Sequence, residues 1–129
     1  MSTLAPGLVG RVTTTVSVDD TAVALGSGDV PVLATPRVAA LVEAASVAAV
    51  GGALGEGQTS VGTKLSLDHD IASPVGAEIV VNSELVEVDG RRLLFYVAAY
   101  DADRIVASGR VERVVVDRAR FLAKARPGS

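Results

Sequence analysis

Fifteen consecutive residues, Pro36–Val50, hold six alanines and only Arg37, Glu43 and Ser46 as polar side chains. Thr35-Pro36 marks a helix start, because a threonine hydroxyl can cap free amides and proline is tolerated at the first helical position. Gly51-Gly52 is expected to end the run by supplying the left-handed conformation that helix ends often need. Such a helix is about 22 Å long. It is polar on almost no side, so it should be buried on nearly its whole circumference. Whatever else the chain does, it must wrap this helix.

The remainder reads mostly as strands. Residues 8–18 (LVGRVTTTVSV) are rich in Val and Thr and predict a first strand. Residues 19–34 mix Asp, Gly and Pro and predict a loop, or a lid with fragments of structure. Beyond the glycine-rich loop at 55–57, Ser60–His69 alternates, with Thr63, Leu65, Leu67 and His69 on one face and Lys64, Ser66 and Asp68 on the other. After a turn at 73–76, Ala77–Val88 places Ile79, Val81 and Leu85 together. Asp89-Gly90 signals a hairpin, and Arg91–Tyr100 and Ile105–Val116 complete the sheet. The tail from Asp117 is charged and mixed, with Phe121 and Leu122 as anchors. No repeat or linker divides these 129 residues, which predicts a single domain with its core at about 8–117. One apolar helix wrapped by about five antiparallel strands is an α+β arrangement. One protomer cannot cover that helix and leaves long sheet edges open, so a symmetric dimer is expected.

Composition narrows the chemistry. There is no Cys and a single His, which removes thiol nucleophiles, thiolate zinc sites and any site needing two imidazoles from one chain. No metal site or redox cofactor is expected. A net charge of −3 and four aromatic side chains argue against a nucleic-acid partner. The N-terminus lacks the basic and apolar regions of a secretory signal. The most membrane-like stretch, 38–54, contains Glu43 and the Gly51-Gly52 break. A carboxylate at mid-bilayer costs roughly 2.5–3.5 kcal/mol, so a soluble, cytoplasmic protein without membrane association is expected.

Four polar residues stand out. Glu43 either solubilises an exposed strip of helix or is a weakly hydrated carboxylate in an apolar pocket, with a raised pKa, suited to act as base or nucleophile. His69 shares the row of Leu65 and Leu67. It is either a hydrogen-bonded structural residue or a catalytic one placed at a strand end. Arg113 extends from the apolar row of Val111 and Val115, either snorkelling to water from an edge strand or clamping an anionic group. Thr35 is a helix cap or a functional hydroxyl. Eight residues separate it from Glu43, about 12 Å along the helix, so a site using both spans a pocket or combines two protomers. Nucleophile-elbow, P-loop and dinucleotide fingerprints are absent.

LATPRVAALVEAA, then SVGTKLSLDHDIASPVGAEIVV, then SGRVERVVVD together resemble the hot-dog-fold thioesterases related to fluoroacetyl-CoA thioesterase. The resemblance spans about residues 8–125. It rests on a Thr-x7-Glu spacing over the helix, a Gly-x6-His spacing over the next strand, and the segment Gly109-Arg110-Val111-Glu112-Arg113. It implies a hot-dog fold and hydrolysis of an acyl-CoA thioester at a dimer interface. Coenzyme A enters only as part of the substrate, and the dimers can pair into tetramers. Thr35, Glu43 and His69 fall on the family's catalytic group, and Gly62 and Arg113 on its substrate-contacting glycine and arginine. The fluoroacetate-specific member has phenylalanines before its helix, whereas SGDVPVLA (27–34) has no aromatic. Its acyl specificity is therefore not carried over. Two other readings stand beside this one: a non-catalytic acyl-CoA binding protein, and a hot-dog enoyl-CoA hydratase, which would need an Asp/His pair beside the helix start.

Overall fold

A computed structural model describes residues 3–126; residues 127–129 of the expected tail lie outside the described residues. In chain order the elements are β1 (Val9–Thr15), a 3-10 turn (Val18–Asp20), α1 (Ala22–Leu25), α2 (Thr35–Val50), β2 (Gln58–His69), β3 (Glu78–Asp89), β4 (Arg92–Asp101), β5 (Arg104–Asp117) and α3 (Arg118–Lys124). The five strands form one antiparallel sheet in the order β1-β3-β4-β5-β2. The helix-and-sheet arrangement is the α+β fold that the hydrophobic pattern predicts.

Strand alternation builds the core. Ile79, Val81, Ser83 and Leu85 of β3, Leu93, Phe95, Val97 and Ala99 of β4, and Val111 and Val115 of β5 are buried on one face. Val38, Leu41, Val42, Ala45 and Ala49 of α2 are the helical half of that core. Burying each of the larger side chains contributes about 1.5–3 kcal/mol. The helix packs mainly across β1 and β3. Gly10 of β1 permits this, since a Cβ there would overlap the main chain of Ala45 and Ala49. The buried hydroxyls answer each other: Ser46 donates to the Val42 carbonyl at 2.8 Å, and Ser83 and Ser46 lie 2.9 Å apart.

The helix departs from expectation in two ways, one at each end. Its N-cap is Ala34, which has no capping side chain, because Thr35 already holds the first helical position; the Thr35 hydroxyl is directed to His69. Gly51 is right-handed (φ −55°, ψ −36°), since the chain leaves the helix through a further turn closed by the Ala53 amide on the Val50 carbonyl. One protomer also covers only part of the helix surface. Thr35, Pro36, Ala40, Ala44, Val47 and Ala48 remain exposed.

The tail forms α3 instead of an irregular segment, because the Asp117 carboxylate accepts from the Arg120 amide and caps it. Phe121 and Leu122 are exposed there and do not belong to the buried core. Among the described residues, no helix is long and apolar enough to cross a membrane.

Candidate active site

β2 is an edge strand, paired on one side by β5, and it is the one long strand without a buried residue. It carries two of the residues singled out above, Gly62 near its middle and His69 at its end. Each meets a partner from α2, and this creates two polar clusters.

The first cluster joins the start of α2 to the end of β2. Thr35 Oγ1 lies 2.8 Å from His69 Nδ1. The His69 Nε2 atom is buried and meets no partner at hydrogen-bond geometry among the described residues, although the main chain of Ile71 is close enough to favour the charged ring weakly. Burial is the largest influence on this imidazole and pushes its pKa below the ordinary value; the Asp70 carboxylate partly opposes that shift. A cavity of about 320 Å³ opens on this pair, roofed by α1 and the segment leading into α2.

The second cluster is built around Glu43, one helix face further along. Its Oε2 accepts from Arg113 at 3.2 Å. Arg113 is only 7% exposed and sits on β5, an interior strand, so it does not snorkel to water. Two more of its five donors are employed, Nε on the Ser60 hydroxyl at 2.8 Å and a terminal nitrogen on the Ser60 carbonyl at 2.9 Å. Burial lowers the Arg113 pKa, and the Glu43 carboxylate opposes that shift. Glu43 therefore stands against a guanidinium and not in the apolar pocket that its sequence neighbours suggested. Its side chain keeps 41% exposure, and a small cleft beside it is lined by Gly62, Thr63, Lys64 and Leu65.

Gly62 lies directly against this carboxylate: a Cβ at that position would collide with Glu43 Oε2. A bulge follows immediately, for Gly62 pairs with Arg113 and Lys64 with Glu112, leaving Thr63 as the extra residue. The Thr63 hydroxyl donates to the Glu112 carbonyl at 3.3 Å. Bulges of this kind recur beside active sites, where they re-aim side chains.

All five residues expected from the sequence thus fall into two clusters, Thr35 with His69 and Glu43 with Gly62 and Arg113. Within one chain the clusters do not meet. Thr35 and Glu43 are about 12 Å apart along α2, and Gly62 and His69 about 23 Å along β2. Ser60 went unnoticed in the sequence. Its signal is weak, a serine in a Thr/Ser/Val strand, and its importance appears only once β2 pairs with β5.

Comparison with known proteins agrees with this architecture. A model of the family of fluoroacetyl-CoA-specific thioesterases matches residues 16–119. A fluoroacetyl-CoA thioesterase from Streptantibioticus cattleyicolor is 39% identical over 95 residues, covering 74% of this chain and 68% of that protein. A crystal structure of a point mutant of a fluoroacetyl-CoA-specific thioesterase superposes with a TM-score of 0.91 at 30% identity, covering all of both chains. A Thermus thermophilus protein described as a thioesterase superfamily member superposes with a TM-score of 0.90 at 25% identity, over 98% of this chain and 93% of that one.

Proposed function

The chain belongs to the fluoroacetyl-CoA-specific thioesterase family, and from that premise we propose that it hydrolyses acyl-CoA thioesters at a site shared between two protomers. One protomer supplies Thr35 and His69, and its partner supplies Glu43, Gly62 and Arg113. The observation carrying this reading is the placement of both clusters along one edge strand, whose outer side has no partner among the described residues. If two β2 edges pair antiparallel about Leu65 and Ser66, Gly62 of one protomer stands opposite the partner's His69. The same contact covers the small-residue face of α2 left exposed in one protomer. It also satisfies an open sheet edge.

In this mechanism Glu43 acts on the thioester carbonyl, either attacking it to form a transient anhydride or taking a proton from the attacking water. The Gly62 amide supports the developing oxyanion. Arg113 orients Glu43 and meets the carbonyl end of the substrate from beside it. Burial favours the neutral form of His69: in the water route the imidazole relays to the departing thiolate the proton that Glu43 takes, and in the anhydride route it takes the proton of the water that later opens the anhydride. Thr35 fixes the ring by its bond to Nδ1. The balance is one thioester and one water giving one carboxylic acid and one thiol. The reaction draws on no group outside these side chains and water, and acyl-CoA supply places the enzyme in the cytoplasm.

Two measurements test this. Thiol release from an acyl-CoA panel should be present in wild type and lost in Glu43→Ala. Co-expressed Thr35→Ala and Glu43→Ala chains, each strongly impaired alone, should together exceed either variant, because a heterodimer restores one intact shared site. No recovery in confirmed heterodimers would place each site within one chain.

One observation favours a second reading. A non-catalytic acyl-CoA binding protein would hold Glu43 against a structural partner, and Arg113 is such a partner. That reading predicts coenzyme A affinity without thiol release. Running the panel with enoyl-CoA as well separates hydrolysis from hydration.

A further inference from the structure

The cavity above Thr35 and His69 has a composition that the proposed reaction does not itself require. Most of its wall is aliphatic, from Ala22 of α1, Val30, Val32 and Leu33 of the following segment, and Ile71 and Ala72 beyond β2, with the Ser27 hydroxyl interrupting it between α1 and Val30. Apart from Ser27, the polar side chains on the lining are Thr35 and His69, bonded to each other, and Asp70 beside them. His69 is the only ring among the lining residues, so no aromatic side chain occupies the space. The nearest carboxylate is that of Asp70, adjacent to His69 and close enough to act on its charge.

The volume is about 320 Å³. At roughly 30 Å³ per non-hydrogen atom, the share that water takes in the liquid, it has room for about ten such atoms. An acetyl or fluoroacetyl group brings three or four and would leave most of the aliphatic wall in contact with water. An acyl group of four to six carbons brings five to seven, covers that wall and still leaves room for the water that hydrolysis consumes.

We propose that this cavity is the acyl subsite and that it selects uncharged aliphatic acyl groups of four to six carbons over two-carbon ones. The inference rests on the thioesterase reading for where the thioester lies, and on the cavity alone for what it holds. Each methylene buried from acetyl to butanoyl should raise kcat/KM about fourfold, the equivalent of the usual transfer free energy of a methylene. The aliphatic wall offers a charged group no partner and so acts against acyl groups that end in a carboxylate.

The test is a kcat/KM series over acetyl-, fluoroacetyl-, propanoyl-, butanoyl-, 3-methylbutanoyl-, hexanoyl-, octanoyl- and succinyl-CoA. Values should rise about fifteenfold from acetyl to butanoyl and fall again by octanoyl, with succinyl-CoA well below butanoyl-CoA. Val30→Phe, which places a ring in the cavity, should move the optimum back towards acetyl. A maximum at acetyl- or fluoroacetyl-CoA with a fall at each added carbon would overturn the proposal. So would a chain-length profile that Val30→Phe leaves unaltered.

A companion series reads the cavity without turnover. S-alkyl-CoA thioethers of the same lengths bind but cannot be hydrolysed. Affinity that grows with alkyl length in the wild type and not in Val30→Phe supports the subsite even if no thioester is cleaved, an outcome that would sink only the hydrolase reading. Affinity independent of length overturns the subsite itself.

Discussion

The Thr35 hydroxyl and the Nδ1 atom of His69, 34 positions apart in the chain, lie within 2.8 Å of each other. This bond joins the first residue of the central helix to the last residue of the edge strand. It holds the only imidazole of the chain in one orientation while Nε2 meets no partner at hydrogen-bond geometry among the described residues. A threonine that would otherwise serve as a cap is thereby freed for chemistry, and α2 begins without side-chain capping.

Thr35→Ala should therefore reduce kcat/KM by about a hundredfold, in the range seen when a positioned proton-transfer group is disturbed. Thr35→Ser keeps the hydroxyl and should stay within about tenfold of wild type. Equal losses in both variants would show that the methyl group, and not the bond to His69, is what matters.

Ser60 anchors the guanidinium that faces Glu43. Ser60→Ala leaves the buried Arg113 Nε without its acceptor and should destabilise the protein by about 1–3 kcal/mol, read by urea unfolding. Arg113→Lys should lose activity despite keeping its charge, because an ammonium cannot satisfy Ser60 and Glu43 together with fork geometry. Full activity in Arg113→Lys would remove the guanidinium from the mechanism.

Two glycines give opposite outcomes. At Gly62 an added Cβ meets a side-chain oxygen of Glu43, which can swing away, so Gly62→Ala should fold but lose at least a hundredfold in kcat/KM. At Gly10 the added Cβ meets helix main chain, which cannot yield locally. Gly10→Ala should cost about 3 kcal/mol or more in stability, at the upper end of overpacking penalties. Thermal unfolding and activity measured side by side distinguish the two.

The depressed pKa of His69 has a consequence for stability. The unfolded chain binds a proton at this residue near pH 6.5, while the folded chain binds it only at lower pH. Stability from this group is thus fully present above about pH 6.5 and declines as pH falls from there through the folded-state value. His69→Gln should flatten that part of the stability-versus-pH curve. An unchanged slope between about pH 7 and pH 5 would assign the dependence to other groups.

Much of this architecture can be read from residue order. The alternation in β3, β4 and β5 and the apolar run of α2 give the fold, because burial on one face leaves little choice of period or register. Glu43, His69 and Arg113 could be picked out because each is polar in an apolar row. What stayed hidden depends on contacts between distant segments. Ser60 resembles any strand serine until Arg113 lies across from it. Thr35 has the sequence of a cap, and only the arrival of β2 shows where its hydroxyl goes. The α3 helix was missed because its seven residues carry no apolar stripe, only the Asp117 cap.

The extra residue in β2 has a consequence of parity. Gly62 and His69 are an odd number of positions apart, and in an unbroken strand residues at odd separations look to opposite faces. Thr63 absorbs one position, so both look towards α2, one at Glu43 and the other at Thr35. Removing Thr63 would leave His69 in place and turn Gly62, with everything before it in β2, through half a revolution. The strand would remain a strand, and the two ends of the reaction would face away from each other.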